Sequence, residues 1–276
     1  MYSVVFLLFT FIFGLIIGSF LNVLIYRLHT GKSLGGQSHC LSCAQPLSWY
    51  ELVPVFSYVA LRGRCRTCGS FIPLRYLWVE LTTGLLFVAA AVSLPLHFWW
   101  AAFLVVSILV VITVYDLRHL IIPNGLVLVL SAVAVSYRLH EGYLLGDYFT
   151  IIKEAALSAA VAGLPLLFIV GISRGRWMGL GDPKLAFVLG LFLTWTQSLS
   201  LLLLSFWSGA ALTLLFLGGQ RIVKAGKKRL LFSRRQLTMR SEVPFAPFLV
   251  LSFLLVWFSG IGITDILNIF NYVTWY

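Results

Sequence analysis

Two carboxylates and four thiols are the side chains of this sequence best suited to chemistry. Asp116 stands in Thr113-Val114-Tyr115-Asp116-Leu117-Arg118 and Asp182 in Gly179-Leu180-Gly181-Asp182-Pro183-Lys184. Each borders a long apolar run, where an ionisable group is costly to keep and usually functional. Two carboxylates that face each other share a proton, because both cannot ionise easily. One can then deprotonate a water while the other protonates a carbonyl, which is aspartic-protease chemistry. Acid–base assistance of this kind contributes ~10²–10⁴-fold. Other roles stay open for each acid alone: Asp182 before Pro183 suits a helix N-cap, and Asp116 has Arg118 as a potential partner. Gly179 and Gly181 favour the catalytic reading, since a backbone without side chains lets a peptide strand approach closely. Lys184 either supports the Asp182 carboxylate or extends to the membrane surface.

All four cysteines lie in one cluster, Cys40-x2-Cys43 and Cys65-x2-Cys68. That is the spacing of a four-thiolate zinc site, in which each C-x-x-C turn presents two sulfurs to one ion. Gly69 suits the tight turn such a knuckle makes. A closed four-sulfur shell leaves no position for water, so the expected metal is structural. Two disulfides, or redox-active C-x-x-C pairs, are the competing readings; both require an oxidising compartment.

The elements that must position these groups are membrane helices. Of 276 residues, 60% are hydrophobic and 11% charged, against roughly 25% charged in a soluble domain. Mean hydropathy is +0.97. A compact soluble globule needs more polar skin than this, so the fold class is an all-α polytopic membrane protein. Apolar stretches near the length that crosses ~30 Å of hydrocarbon fall at 2–25, 77–93, 98–115, 120–137, 155–172, 185–195, 198–217 and 243–261, about eight transmembrane helices. With no basic segment ahead of it, 2–25 reads as a retained membrane helix and not a signal peptide.

Charge supports the count. Loops at 27–76, 116–119, 173–184 and 218–242 would share one side and hold 6, 1, 3 and 8 Lys/Arg, 18 of the chain's 20. The opposite side keeps Arg138 and Lys153. The positive-inside rule then places these four loops in the cytoplasm and both termini outside. It also accounts for the net charge of +11 without a nucleic-acid partner. The reducing cytoplasm disfavours disulfides in 27–76. The expected organisation is a first transmembrane helix (1–26), a small cytoplasmic four-cysteine zinc domain (27–76) and a multi-helix membrane core (77–276).

At these residues the chain resembles the type IV prepilin peptidases, membrane aspartyl proteases of the G-x-G-D type. The likeness runs through the whole chain: Gly18-Ser19-Phe20-Leu21-Asn22-Val23-Leu24-Ile25-Tyr26-Arg27, the double C-x-x-C around Leu61-Arg62-Gly63-Arg64, Leu74-Arg75-Tyr76 to Val79-Glu80, Asp116 with Ile122-Pro123-Asn124, the G-x-G-D segment, and Val243-Pro244-Phe245-Ala246-Pro247-Phe248. Leu41 and Ala246 depart from the residues common in that family. The resemblance implies removal of the basic leader of type IV prepilins and type II secretion pseudopilins at the cytoplasmic face of the bacterial inner membrane. It also implies N-methylation of the new terminal residue from S-adenosylmethionine. It assigns Asp116 and Asp182 to catalysis and Cys40, Cys43, Cys65 and Cys68 to zinc. A peptidase without methyl transfer, or a membrane thiol-redox protein, is the alternative.

No glycine-rich fingerprint marks a methyl-donor site. Glu80 is the candidate, with a bond to Arg75 as its other reading. Asn22 is either a helix–helix contact or part of a substrate path. The cluster Lys224, Lys227, Lys228, Arg229, Arg234, Arg235 suits anionic headgroups. Glu141, Asp147, Glu154 and Asp265 read as solvated residues of the outer side.

Overall fold

The computed structural model describes residues 3–31, 35–225, 244–266 and 268. Among them the chain is helical, and strand pairing is limited to two isolated bridges in the cysteine loop. The main helices are α1 (Val4–Thr30), α2 (Phe56–Ala60), α3 (Arg75–Ser93), α4 (Trp99–His119), α5 (Asn124–Leu145), α6 (Tyr148–Ser173), α7 (Gly181–Gly190), α8 (Trp195–Ala225) and α9 (Ala246–Ser259). Each of the eight apolar stretches overlaps one of them.

Five are long and apolar enough to cross a membrane among the described residues: Val4–Leu28, Arg75–Ser93, Leu96–His119, Tyr148–Ser173 and Trp195–Leu215. The other three differ for separate reasons. α5 carries Arg138 and Glu141 within its length, α9 has 14 residues, and α7 has only 10. At 1.5 Å per residue α7 is about 15 Å long, half the hydrocarbon thickness. The basic cluster from Lys224 to Arg235 lies outside the described residues, apart from the helical backbone at Lys224.

The chain forms two compact units, Met1–Arg118 and His119–Tyr276. In the first, α1 lies against α3. A Cβ on Gly14 would come within 2.7 Å of Gly84 Cα, and one on Gly18 within 2.7 Å of Glu80 Cα. This is the small-x3-small contact that lets membrane helices touch backbone to backbone. Asn22 on α1 is buried and donates from Nδ2 to the Tyr76 carbonyl at 3.0 Å, so it is a helix–helix contact. Phe87 of α3 stacks on Phe103 of α4, with ring centroids 4.4 Å apart.

In the second unit α7 packs against α5, α6 and α9. Leu185, Ala186 and Leu189 are fully buried there. Just past the end of α7, Phe192 is held by Tyr137, Phe253 and Trp257, at centroid distances of 5.4, 5.9 and 5.5 Å. Arg138 departs from the outer loop expected of it. It is buried inside α5 and paired with Glu141 at 2.6 Å. Asp147 does stand in the open, as the N-cap of α6, accepting from the Thr150 N–H at 3.0 Å.

Candidate functional site

Asp116 lies in the last turn of α4 and is 5% exposed. Asp182 is in the first turn of α7, where a negative charge suits the helix dipole. It does not cap the helix: Leu180 holds the N-cap position and Gly181 begins the helix. The first acid belongs to the Met1–Arg118 unit and the second to the His119–Tyr276 unit.

The two glycines beside Asp182 serve different ends. Gly179 is exposed, and a Cβ there would touch little but the Gly181 nitrogen, 4.0 Å away. Gly181 faces Ile122, whose Cβ a side chain would meet at 3.3 Å. The Ile122-Pro123-Asn124 segment, 57 residues or more earlier in the chain, thus packs on the start of the Asp182 helix. Lys184 is exposed, while Pro183 and Leu185 beside it are buried.

The cysteines form a single cluster. The four sulfurs lie within 4.8 Å of one another and are free thiols. A tetrahedron with Zn–S bonds of ~2.3 Å has sulfur–sulfur edges of about 3.8 Å. Cys40 Sγ and Cys68 Sγ are 3.8 Å apart. The donor set therefore fits one tetrahedral ion.

Two knuckles build the cluster by the same hydrogen bonds. Ala44 N–H donates to the Cys40 carbonyl as Gly69 N–H does to that of Cys65, both at 2.9 Å. Cys40 N–H donates to Gln45 as Cys65 N–H does to Ser70, at 2.9 and 2.8 Å. Each knuckle then closes with an antiparallel bridge, His39 to Pro46 and Arg64 to Phe71. The left-handed residue that turns the chain is Gly69 in one and Ala44 in the other, at φ 69° and 57°.

Four thiols so close do not ionise alike. The Cys43 and Ser42 backbone N–H groups hold Cys40 down, to about 6. The Ser70 hydroxyl and then its N–H lower Cys68. The Gln45 N–H pulls Cys43 down, yet desolvation and the sulfurs of Cys68 and Cys40 outweigh it and push Cys43 up to about 11. A divalent cation reverses this repulsion and makes every sulfur a thiolate.

A cavity of about 730 Å³ lies between this loop and the adjoining parts of α1 and α3; Asn22, Tyr26, Arg27, Glu51, Tyr58 and Glu80 are among its walls. Its volume is within the usual range for a small-molecule site. Cys40 and Cys65 also line it, so the cluster shapes one wall.

Glu80 is buried, and its Oε2 accepts from the Val55 N–H at 2.8 Å. Ser19 is a second partner. Arg75 turns instead to Tyr76, donating to its hydroxyl at 3.3 Å. Val55 has φ 61°, a conformation that a β-branched residue seldom adopts. Glu80 thus fastens the loop to α3 through a strained turn. Sequence reasoning missed this anchor, and it also passed over Gly14-x3-Gly18, whose spacing on an apolar helix was the available signal.

Residues 12–94 match the bacterial peptidase A24 N-terminal domain, and residues 103–214 match the type IV leader peptidase family. Among curated relatives is the prepilin leader peptidase/N-methyltransferase of Myxococcus xanthus, 38% identical over 77% of this chain and 63% of that protein. Proteins of the same name come from Pectobacterium carotovorum (31%, over 75% of this chain and 82% of that one) and Dickeya chrysanthemi (31%, over 90% of each). The chain thus spans under two thirds of the Myxococcus protein and most of the other two. No solved structure matches it.

Proposed function

The chain belongs to the type IV leader peptidase family, and from that premise we propose that it removes the leader of prepilins or pseudopilins with Asp116 and Asp182, then N-methylates the new terminus. The observation that carries the first activity is the packing of Gly181 on Ile122. It joins the segment that follows Asp116 in sequence to the turn that bears Asp182. In the reaction one carboxylate takes a proton from water as it attacks the scissile carbonyl. The other, protonated, donates to the carbonyl oxygen; the first then passes the proton it took from water to the departing amine, while the second takes one back from the collapsing diol. The open space at Gly179 lets the extended substrate backbone approach.

The 27–76 loop and both acids lie on the cytoplasmic side, and the termini outside, a reading supported by the Lys/Arg distribution. A basic leader suits that face. The membrane is the bacterial inner membrane. The cysteine cluster holds structural zinc; four sulfurs gathered about one point favour a metal over redox pairs.

S-adenosylmethionine suits the loop cavity in volume and in its acidic groups, Glu51 and Glu80. When bound it supplies an electrophilic methyl group. Tyr26, Tyr58 and Glu80 would hold it. Two separate sites imply two separable activities.

Co-expression with a prepilin tests the proposal. The expected result is a shortened pilin band whose terminus, by mass spectrometry, is cut and carries a methyl group. An unshortened band would overturn the peptidase reading. A cut but unmethylated terminus would overturn methyl transfer.

A further inference from the structure

We propose that Arg138 and Ser158 form a clamp on the far end of α7 that positions Asp182, an inference resting on the reading of Asp182 as a catalytic acid. α7 stops after 10 residues, and a tight turn follows in which the Leu191, Phe192 and Leu193 N–H groups bond to the Val188, Leu189 and Gly190 carbonyls at 3.1–3.2 Å. The carbonyls of Leu191 and Leu193 within that turn take their donors from another helix. At membrane depth such groups need protein donors. Ser158 Oγ donates to the Gly190 carbonyl at 2.8 Å and lies 2.7 Å from Ser198 Oγ. Arg138 Nε donates to the Leu191 carbonyl, and Nη2 donates to that of Leu193 at 2.6 Å. Nη1 is held by Glu141 at 2.6 Å.

All these donors are enclosed: Ser158 and Ser198 are 0% exposed and Arg138 7%. A buried cation at a helix C-terminus also meets the negative end of the dipole. The fork of one guanidinium spans two carbonyls, so it fixes both the depth and the rotation of the helix end. Gly190 completes the seat, since a Cβ there would come within 2.8 Å of Ala159 Cα.

A short, well-packed helix moves as a rod. A shift at Gly190 is therefore passed to Asp182 in the first turn, and a 1 Å misplacement of a reacting group can cost about 10²-fold. Arg138 bonds just past the C-terminal end of α7, opposite the first turn that carries Asp182, so it is a positioning residue.

The test is steady-state cleavage of a prepilin by the full-length reconstituted enzyme, with methylation of pre-cleaved pilin measured on the same preparation. Arg138→Gln should lower kcat about tenfold or more, with KM within about twofold and methylation retained. Arg138→Lys keeps the charge without the fork and should recover only part of kcat. Ser158→Ala, a small change that should fold even where Arg138→Gln does not, should lower kcat about threefold to tenfold. Wild-type kcat in Ser158→Ala and Arg138→Gln would overturn the clamp, as would a change confined to KM. Asp182→Asn is run alongside: if it still cleaves, the reading of Asp182 fails, whereas its inactivity beside fully active clamp variants condemns the clamp alone.

Discussion

In the cysteine loop, order comes from short-range polar bonds: two knuckles close by matching backbone hydrogen bonds, and four sulfurs meet at one point. Around α7 order comes from packing, with apolar side chains fully buried and few polar bonds, all at the helix end. The loop has little core of its own, so under the proposed zinc site its shape depends on the cation. The α7 bundle keeps its shape without one, because its contacts are between helices. The same contrast separates the proposed activities, methyl transfer beside the four-cysteine loop and proteolysis on the packed helix.

Breaking the loop should therefore spare the bundle. Cys40→Ser with Cys43→Ser should remove the metal, about one zinc per chain by elemental analysis. The loop should become open to limited proteolysis and methylation should be lost, while leader cleavage falls only severalfold. Complete loss of cleavage in a folded, membrane-inserted variant would erase the distinction.

Breaking the bundle should do the reverse. Gly190→Leu drives a side chain into α6, where the Ala159 Cα already lies 2.8 Å from an added Cβ. Overpacking of this kind costs about 1–3 kcal/mol. Cleavage should fall at least tenfold with zinc content unchanged. Gly179→Ala should leave thermal stability alone, because the added methyl meets open space, yet slow cleavage by crowding the substrate backbone.

Glu80 sharpens the comparison, since it belongs to the fold and to the proposed methyl-donor site together. Glu80→Gln keeps an acceptor for the Val55 N–H and removes the charge. Cleavage should persist and methylation fall, as read by mass spectrometry of the mature terminus. Full methylation would clear the carboxylate of that role, leaving it as an anchor.

The smallest effect is expected at Asp147. Its bonds from Thr150 hold the carboxyl below its ordinary value of 3.8. A depressed folded-state value means the cap stabilises above the ordinary carboxylate range, and that contribution is lost as pH falls through the folded-state value. Asp147→Ala should lower Tm slightly at neutral pH; the difference from wild type should begin to shrink below about pH 4 and vanish only once the pH is below the folded-state value.

Much of this was legible in the residues themselves. The paired C-x-x-C spacing specified one four-sulfur cluster, and Gly69 marked one left-handed turn; its counterpart Ala44 gave no such sign, because the hydrogen bonds of the knuckle impose the conformation. Hydropathy located every long helix, passed over the short α2 in the loop, and blurred α7. Its first turn, Gly181-Asp182-Pro183-Lys184, is too polar to register as membrane, so the stretch seen at 185–195 missed the start and overran the end. Arg138 was misread for the opposite reason. A charge in an apolar helix looks like a loop residue until its partners, the Leu191 and Leu193 carbonyls, are placed by the fold. The role of Glu80 against Val55 was likewise invisible, since it depends on a turn 25 residues away.

The central claim is that Asp116 and Asp182 act as one catalytic unit. It is tested most directly by comparing leader cleavage in Asp116→Asn, Asp182→Asn and the double variant, each inserted in membranes at equal levels. The account predicts that each single change abolishes cleavage and that the double variant is no worse than either. Near-normal cleavage by either single variant, or losses that multiply in the double, would contradict it.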